Sequence, residues 1–290
     1  MAKVELGRRM TDGPIDALAG AKQQRIARDI QNQIEAGVLR DGEVMPSTRT
    51  LAEQTGASVW TVNEAMKALA EMGLVENQSR SRRIVRSAHL TPKVSEAAPR
   101  ALLIGGYAGS GKTELGRILT RLTGWMIIDK DTITRPVVEV ALEALGAESS
   151  DRESETYLSK VRPREYEALM STAHENTACG AGAVVTAPFL REFKDASWLA
   201  RQQAQFADDG LPMTVVWVTC DADTMLTYVR RRGAARDAHK LATWDAYMEA
   251  IDLTFRPVVD HHVIDNSTSA EPLKDQAARL IATLAEVPAK

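Results

Sequence analysis

The stretch GYAGSGKT, residues 106–113, decides the fold of the longer part of this chain. The apolar run ALLI precedes it at residues 101–104, and apolar residues return after it at helical spacing, at Leu115, Ile118 and Leu122. A short apolar run is typical of a buried parallel strand, whereas the later spacing is typical of an amphipathic helix. The pattern therefore predicts a strand, a glycine-rich loop and a helix in direct succession, as at the start of an α/β domain.

The residue types in this loop suit the binding of phosphates. Its glycines allow successive backbone N–H groups to point at phosphate oxygens, and the following helix adds a partial positive charge at its N-terminus. The Lys112 side chain would reach the β- and γ-oxygens, and the Thr113 hydroxyl would bind Mg²⁺. The spacing is that of a Walker A motif, and it predicts binding of ATP and Mg²⁺. The predicted nucleotide ligands are Gly106, Gly109, Ser110, Gly111, Lys112 and Thr113.

Two carboxylates follow the next apolar run, residues 125–128. Asp129 and Asp131 would lie at the carboxyl end of a strand, where open parallel sheets bind their ligands. A carboxylate there can deprotonate a substrate hydroxyl or hold the metal, and Arg135 could bind an anionic substrate. The alternative is that either aspartate merely caps the helix that follows.

Three more apolar runs, at residues 183–187, 213–219 and 263–264, complete a predicted sheet of five parallel strands. Thr186 lies where many proteins with this loop carry a metal-binding aspartate, so we expect the metal to depend more on Thr113 and on Asp129 or Asp131, of which Asp129 is the candidate ligand. Asn266, after the last run, is a candidate contact of the adenine.

Residues 230–237, RRRGAARD, form a dense cationic segment with a glycine. Arginines that close over a triphosphate neutralise developing charge and exclude water, so the segment is interpreted as a lid with Arg232 and Arg236 as catalytic residues. The alternative is a solvated helix end whose cations complement the helix dipole.

The N-terminal region has a different pattern. Apolar residues recur at helical spacing from Gln23 to Gly37, and two shorter helices are predicted after the candidate caps Ser47 and Ser58. Short apolar runs at residues 74–75 and 84–85 then flank an arginine-containing segment. This pattern predicts a helix-turn-helix followed by a β-ribbon wing, in which the third helix enters a major groove of DNA.

Arg49 and Thr61 are the leading candidates for DNA contacts. Asn63 could pair with an adenine edge, and Trp60 could pack on a thymine methyl or a sugar, although Trp60 could equally cover the surface of the domain. Five basic residues and no acidic ones lie within residues 80–93, a local charge suited to a phosphate backbone.

The N-terminal region resembles the GntR family of bacterial transcriptional regulators over roughly residues 20–87. The resemblance rests on the segments IEAG at 34–37, PSTR at 46–49 and GLV at 73–75, together with Leu51, Ser58, Thr61 and Leu69. It implies DNA contacts by Ser47, Arg49, Ser58, Thr61, Arg80 and Arg82. Two positions of the third helix that are often arginine in that family are Val59 and Asn63 here, so the preferred DNA sequence should differ.

The C-terminal region, about residues 100–287, resembles the small P-loop kinases that include gluconate kinase, chloramphenicol phosphotransferase and zeta-toxin-like proteins. The resemblance rests on the Walker A motif, the Asp129 and Asp131 pair and the Arg232 and Arg236 segment. It implies ATP-dependent phosphorylation of a hydroxyl on a small molecule, with Asp131 as the base. It also implies a strand order of 2-3-1-4-5.

Composition narrows the class of protein. The 290 residues are 44% hydrophobic and 26% charged, without an apolar run long enough to span a bilayer or serve as a secretory signal, so we expect a cytoplasmic protein. Two cysteines exclude a disulfide framework. We expect a DNA-binding domain at 18–87, a linker at 88–99, rich in Ala, Ser, Thr and Pro, and a kinase-type domain at 100–290.

Together the two regions predict a transcriptional regulator whose ATP-binding domain senses or phosphorylates a small molecule. The alternative is an active metabolite or antibiotic kinase that regulates its own gene, whereas the fused DNA-binding domain argues against a zeta-like toxin. Because one winged helix contacts one half-site, we expect a homodimer on an inverted repeat.

Overall fold

The computed structural model describes residues 14–79, 82–87, 97–233 and 237–286. The N-terminal part consists of α1 (Pro14–Glu35), α2 (Thr48–Thr55), α3 (Val59–Glu71) and an antiparallel ribbon of β1 (Val75–Asn77) and β2 (Arg83–Val85). Helix α1 begins nine residues before the apolar pattern that predicted it. Its first helical residue is a proline, which suits that position because its missing N–H would have no partner there.

Helices α2 and α3 meet at a tight turn that the sequence encodes locally. The Ser47 hydroxyl accepts a hydrogen bond from the Thr50 backbone N–H, and the Ser58 hydroxyl accepts one from that of Thr61, so both predicted caps form. Gly56 closes α2 with φ 58°, a left-handed conformation that suits glycine. The helix-turn-helix thus forms around an apolar core that includes Ile26, Ile30, Ile34, Val62, Met66 and Leu69.

The C-terminal part is an α/β fold around one five-stranded sheet. Its strands are β3 (Ala101–Gly106), β4 (Met126–Asp129), β5 (Ala183–Thr186), β6 (Met213–Thr219) and β7 (His261–Asp265). All neighbours are parallel, in the order β4-β5-β3-β6-β7. Numbered within this sheet, the order is 2-3-1-4-5, so the predicted fold class and topology are confirmed.

Helices cover both faces of this sheet. The helices of this part of the chain are α4 (Lys112–Thr123), α5 (Lys130–Ala144), α6 (Arg162–Ala178), α7 (Ala196–Asp208), α8 (Ala222–Arg232), α9 (Ala238–Ala242), α10 (Trp244–Ala250) and α11 (Leu273–Glu286). A π-helical turn, Tyr157–Val161, leads into α6, and a 3₁₀ turn, Glu192–Lys194, precedes α7.

The alternation of side chains along β3 assigns the two cores. Leu102 and Ile104 pack with α4 and α11, whereas Ala101 and Leu103 pack with α6 and α7 on the opposite face. No helix in the described parts of the chain is long and apolar enough to cross a membrane. Residues 88–96 of the predicted linker lie outside the described residues.

Candidate functional site

The glycine-rich loop between β3 and α4 adopts a conformation that its glycines make possible. Gly109 and Gly111 have φ values of 81° and 95°, in the left-handed region. Helix α4 begins at Lys112, so its free N–H groups face the loop. The loop therefore offers the backbone donors and the helix dipole that suit a phosphate chain.

Two side chains of the loop also suit an anionic ligand. The Ser110 hydroxyl is buried and has no hydrogen-bond partner among the described residues. The Lys112 ammonium donates to the Tyr107 carbonyl at 2.7 Å. Burial, and next the positive charge of Arg232, lower the pKa of Lys112 to about 8, while Asp131 and Asp129 act in the opposite direction. A bound phosphate would supply the missing partner of Ser110 and offset the desolvation of Lys112.

A hydroxyl–carboxylate cluster lies directly beside this loop. The hydroxyls of Thr113 and Thr186 donate to the same Asp129 oxygen, at 3.1 and 2.6 Å. The other Asp129 oxygen accepts from the backbone N–H of Thr132, so this aspartate also caps α5. Oxygen ligands of this kind suit Mg²⁺, so Thr113 and Asp129 are the residues that would hold it.

Asp131 lies in the first turn of α5, on the wall of the same cavity. The Lys130 ammonium is 3.1 Å from its carboxylate and 2.8 Å from that of Glu165. Glu165 also accepts from Thr134 at 2.9 Å and from the Tyr157 hydroxyl at 2.6 Å. This buried network fixes the start of α5 against α6, and it thereby fixes the position of Asp131.

The cavity in front of the loop has a volume of about 470 Å³ and is strongly cationic. Its positively charged lining residues are Lys112, Lys130, Arg152, Arg162, Arg191, Lys194, Arg232 and Lys240. Its acidic lining residues are Asp129, Asp131, Glu153 and Asp237. Glu192 pairs with Arg162, and Glu153 lies 3.6 Å from Lys240. For Arg191 the described residues provide no charged partner, so it remains available to an anion.

The predicted lid begins at the end of α8. Arg232 lines the cavity and is held there by Asp237, which is buried and accepts from the Arg232 Nε at 2.8 Å. Helices α9 and α10 pack back onto Met225 and Val229 of α8 through Leu241, Trp244 and Tyr247. Arg236, the second predicted lid arginine, lies outside the described residues.

Outside the glycine-rich loop, two of the described residues predicted for this site do not line the cavity. Arg135 is on the exposed side of α5, where its guanidinium is 4.0 Å from Glu139, one helical turn away. Asn266 is only 3% exposed and donates to the Ser110 carbonyl at 3.0 Å. It therefore contacts the phosphate-binding loop instead of standing free for an adenine.

Of the two leading candidates for DNA contacts, Arg49 is exposed and Thr61 is buried, and the further candidate Trp60 is exposed. The Arg49 side chain is 87% exposed, and Trp60 is 61% exposed. Thr61, predicted to contact DNA, is only 6% exposed, and its hydroxyl lies 2.8 Å from that of the Ser58 cap. It is unsuited to reading a base.

The remaining predicted DNA contacts are already engaged or lie at the wing. Ser47 and Ser58 act as helix caps. The Asn63 amide oxygen accepts from Arg83 at 3.0 Å and lies 3.3 Å from the Thr48 hydroxyl. Arg82 is exposed at the wing, whereas Arg80 lies outside the described residues. Arg83, which links the wing to α3, was missed because nothing local in the sequence indicates its partners.

Comparisons with known proteins find a separate match for each of the two parts of the chain. The profile described as "AAA domain" matches residues 102–254, and the profile of the bacterial regulatory proteins of the gntR family matches residues 22–85. A shikimate kinase of Moorella thermoacetica is 34% identical over 105 residues, which are 35% of this chain and 58% of that protein. The HTH-type transcriptional regulator GgaR of Escherichia coli is 41% identical over 51 residues, 18% of this chain and 21% of that protein.

Among solved structures, a gluconokinase from Sinorhizobium meliloti covers 66% of this chain and 96% of its own length, at 16% identity and a TM-score of 0.41. The chain spans less than two thirds of the curated relatives named above. The profile match over more than half of the chain establishes the family of the C-terminal part. The chain belongs to the AAA domain family, and it joins this P-loop kinase-like domain to an N-terminal DNA-binding domain of the gntR family of bacterial regulatory proteins.

Proposed function

We propose that the protein is a transcriptional regulator whose P-loop domain binds ATP with Mg²⁺ and phosphorylates a hydroxyl group of a small molecule. One observation carries the catalytic part: Lys112, Asp131 and Arg232 line a single cavity beside the Walker A loop. The DNA-binding domain in the same chain supports the regulatory part. DNA and ATP meet in the bacterial cytoplasm, where we expect this protein to act.

Each residue of the cavity would have a separate role in the transfer of the γ-phosphoryl group. The acceptor oxygen would attack the γ-phosphorus while the bond between this phosphorus and the β–γ bridging oxygen breaks, and ADP would leave. Asp131 would take the proton of the acceptor hydroxyl, while Lys112 and Arg232 would stabilise charge on the transferring group. When bound, Mg²⁺ would neutralise phosphate charge. Thr113 and Asp129 would hold it.

The charge of the cavity suggests the class of acceptor. Arg191 and Lys194 line it as well, and a carboxylate or phosphate on the acceptor would pair with them. We therefore propose a hydroxylated acceptor that carries an anionic group.

Turnover measurements test the enzymatic proposal. Release of ADP in the presence of ATP and Mg²⁺ should depend on one hydroxylated anionic compound from a screened set, and it should vanish in Lys112→Ala. Glu114→Gln, on the same helix, is not suitable as a control because Glu114 lies near Arg231. Arg117→Gln, one turn further along α4, is the matched control.

A sensor without turnover is the second candidate. The observation that favours it is the engagement of Asp129 by Thr113, Thr186 and the helix cap, which leaves this carboxylate little freedom to hold a metal. Tight ATP binding without phosphorylation of any acceptor would support the sensor.

The DNA-binding proposal includes a homodimer, because specific binding normally requires two half-sites about one helical turn apart. Sedimentation of the full chain with a fragment of its own promoter should give a complex of two protein molecules per inverted repeat. A complex with one protein molecule would contradict the dimer.

A further inference from the structure

Helix α1 belongs to two interfaces at once. One face supplies Ile26, Ile30 and Ile34 to the core of the DNA-binding domain. Asp29 and Asn32 project from another face toward the P-loop domain and are 2% and 1% exposed, although both are polar. The DNA-binding domain is therefore docked on the P-loop domain through buried polar groups.

Asn266 connects this helix to the phosphate-binding loop. The Asn32 amide donates to the Asn266 side-chain oxygen at 3.1 Å, and the Asn266 amide donates to the Ser110 carbonyl at 3.0 Å. A Cβ placed on Gly111 would lie 2.1 Å from the Asn266 amide nitrogen, so the loop fits closely around this side chain. One asparagine thus touches both α1 and the loop.

Arg231 makes the second connection. Its guanidinium lies 2.7 Å from the Asp29 carboxylate and 3.5 Å from that of Glu114, in the first turn of α4. It directly precedes Arg232, which lines the cavity. Asp29 thus gives a carboxyl partner to an arginine that lies next to the helix after the phosphate-binding loop.

The sheet topology indicates which part of a bound ATP would lie next to Asn266 and Arg231. The loop follows the central strand β3, whereas Asp131 follows β4 at one edge of the sheet and Asn266 follows β7 at the other. In an in-line phosphoryl transfer the attacking and leaving oxygens lie on opposite sides of the phosphorus. With the acceptor on the Asp131 side, the nucleoside of ATP belongs on the β6–β7 side. There the described residues Asn266 and Arg231 are covered by α1.

The docked arrangement also carries unfavourable contacts. Several buried side-chain polar atoms at or next to this interface have no hydrogen-bond partner among the described residues. They are Arg25 Nε, Asn32 Oδ1, Glu35 Oε2 and Arg121 Nε. Such an atom costs about 1–3 kcal/mol when buried, so this interface is less favourable than a permanent core and can be displaced.

We propose that α1 occupies the nucleoside side of the ATP site, so that docking of the DNA-binding domain and binding of ATP exclude each other. This inference rests on the proposed binding of ATP by the Walker A loop. ATP would release the DNA-binding domain, and anything that stabilises the docked arrangement would weaken ATP binding by the same factor.

Calorimetric titration of the full chain with ADP and Mg²⁺ tests the competition. Asp29→Ala/Asn32→Ala should bind ADP about tenfold more tightly than the unaltered chain, a difference of about 1.4 kcal/mol. Glu71→Ala, an exposed change in the same domain away from this interface, should match the unaltered chain. Inorganic tripolyphosphate, which has no nucleoside, should bind the double variant and the unaltered chain equally.

The other possible results of this titration separate the competition, the nucleoside-side assignment and ATP binding from one another. Equal ADP affinities would overturn the competition and leave the ATP-binding proposal intact, and weaker binding by the double variant would make α1 part of the site. Equal tightening for tripolyphosphate would overturn the nucleoside-side assignment. Failure of every protein to bind ADP and tripolyphosphate would reject ATP binding itself and the competition with it.

A measurement on the unaltered chain covers the case in which the double variant does not fold. Hydrogen exchange of the backbone amides in residues 25–35 should become faster when ADP and Mg²⁺ are added, because the helix loses its contacts with the P-loop domain. Unchanged or slower exchange in this helix, with exchange in residues 106–113 slowed by the ligand, would overturn the proposal.

Discussion

Asp131 is the side chain on which the proposed chemistry depends most. Replacing Asp131 by asparagine removes the proton acceptor but preserves size, so we expect kcat to fall by about 10²–10⁴-fold while the affinity for ATP stays unchanged. Steady-state kinetics and calorimetry measure the two quantities. Glu139→Gln, an exposed change on the same helix, is the control. An unchanged kcat would assign the base to another residue.

Asp29 predicts a pH dependence of stability. Burial raises the pKa of Asp29 to about 7, against the attraction of Arg231 and with a further contribution from Glu114. Since the folded carboxyl binds its proton more tightly than the unfolded one, its contribution to stability is complete below about pH 4 and is lost as the pH rises through 7.

The stability difference between Asp29→Asn and the unaltered chain should therefore shift in favour of the variant between pH 5 and pH 8. Thermal unfolding at several pH values measures it. Glu71→Gln should show no such shift. A constant difference for Asp29→Asn would mean that the carboxylate stays ionised beside Arg231.

Some residues of the candidate sites could be predicted from the sequence, and others could not. The Walker A loop, both serine caps and Asp129 and Asp131 were found because each signal is contained in a few consecutive residues. Lys130 and Glu165 are 35 positions apart and meet only after α5 and α6 pack. The engagement of Asn63 by Arg83 likewise depends on the folded wing.

The buried ion pair between Lys130 and Glu165 joins α5 to α6 next to Asp131. Removing Glu165 leaves the buried Lys130 with the more exposed Asp131 as its carboxylate partner and takes the acceptor from the Thr134 and Tyr157 hydroxyls, so Glu165→Ala should lower the free energy of unfolding by about 3–5 kcal/mol. Glu167→Ala, an exposed change on the same helix, should change it by less than about 1 kcal/mol. Denaturant unfolding measures both. Similar small losses would show that Lys130 finds another partner.

Helix α2 presents Arg49 to solvent at its N-terminal end, where we expect a DNA phosphate. Arg49→Ala should weaken DNA binding and reduce the slope of log affinity against log salt concentration by about one, because one fewer counterion is released. Its affinity for ATP should not change. Fluorescence anisotropy with a promoter fragment at several salt concentrations measures the slope. Loss of both activities would contradict the assignment of separate domains.

The periodicity of apolar residues predicted the helices and strands better than it predicted which of their residues are exposed. All five strands agree with the apolar runs of the sequence, and their order agrees with the one that the resemblance to small P-loop kinases implies. The start of α1, nine residues before its apolar pattern, and the burial of Thr61 behind the Ser58 cap were not predicted from the sequence.

The contact between the two parts of the chain lay beyond any sequence pattern. Asp29 and Asn32 are 202 and 234 positions away from their partners Arg231 and Asn266, and in the sequence they are ordinary polar residues of an amphipathic helix. Only the arrangement of both domains makes them informative. It joins two functions that the sequence predicts separately.

The chemistry of that contact also has a thermal consequence. Exposure of apolar surface raises the heat capacity, and exposure of polar surface lowers it. Because the contacts of α1 with the P-loop domain combine the polar Arg25, Asp29 and Asn32 with the apolar Ala36 at its end, the two contributions oppose each other, and separation should change the heat capacity little. The equilibrium between the two arrangements should then follow a nearly straight van 't Hoff line. The enthalpy of releasing the DNA-binding domain would then be nearly the same in a cold cell as in a warm one.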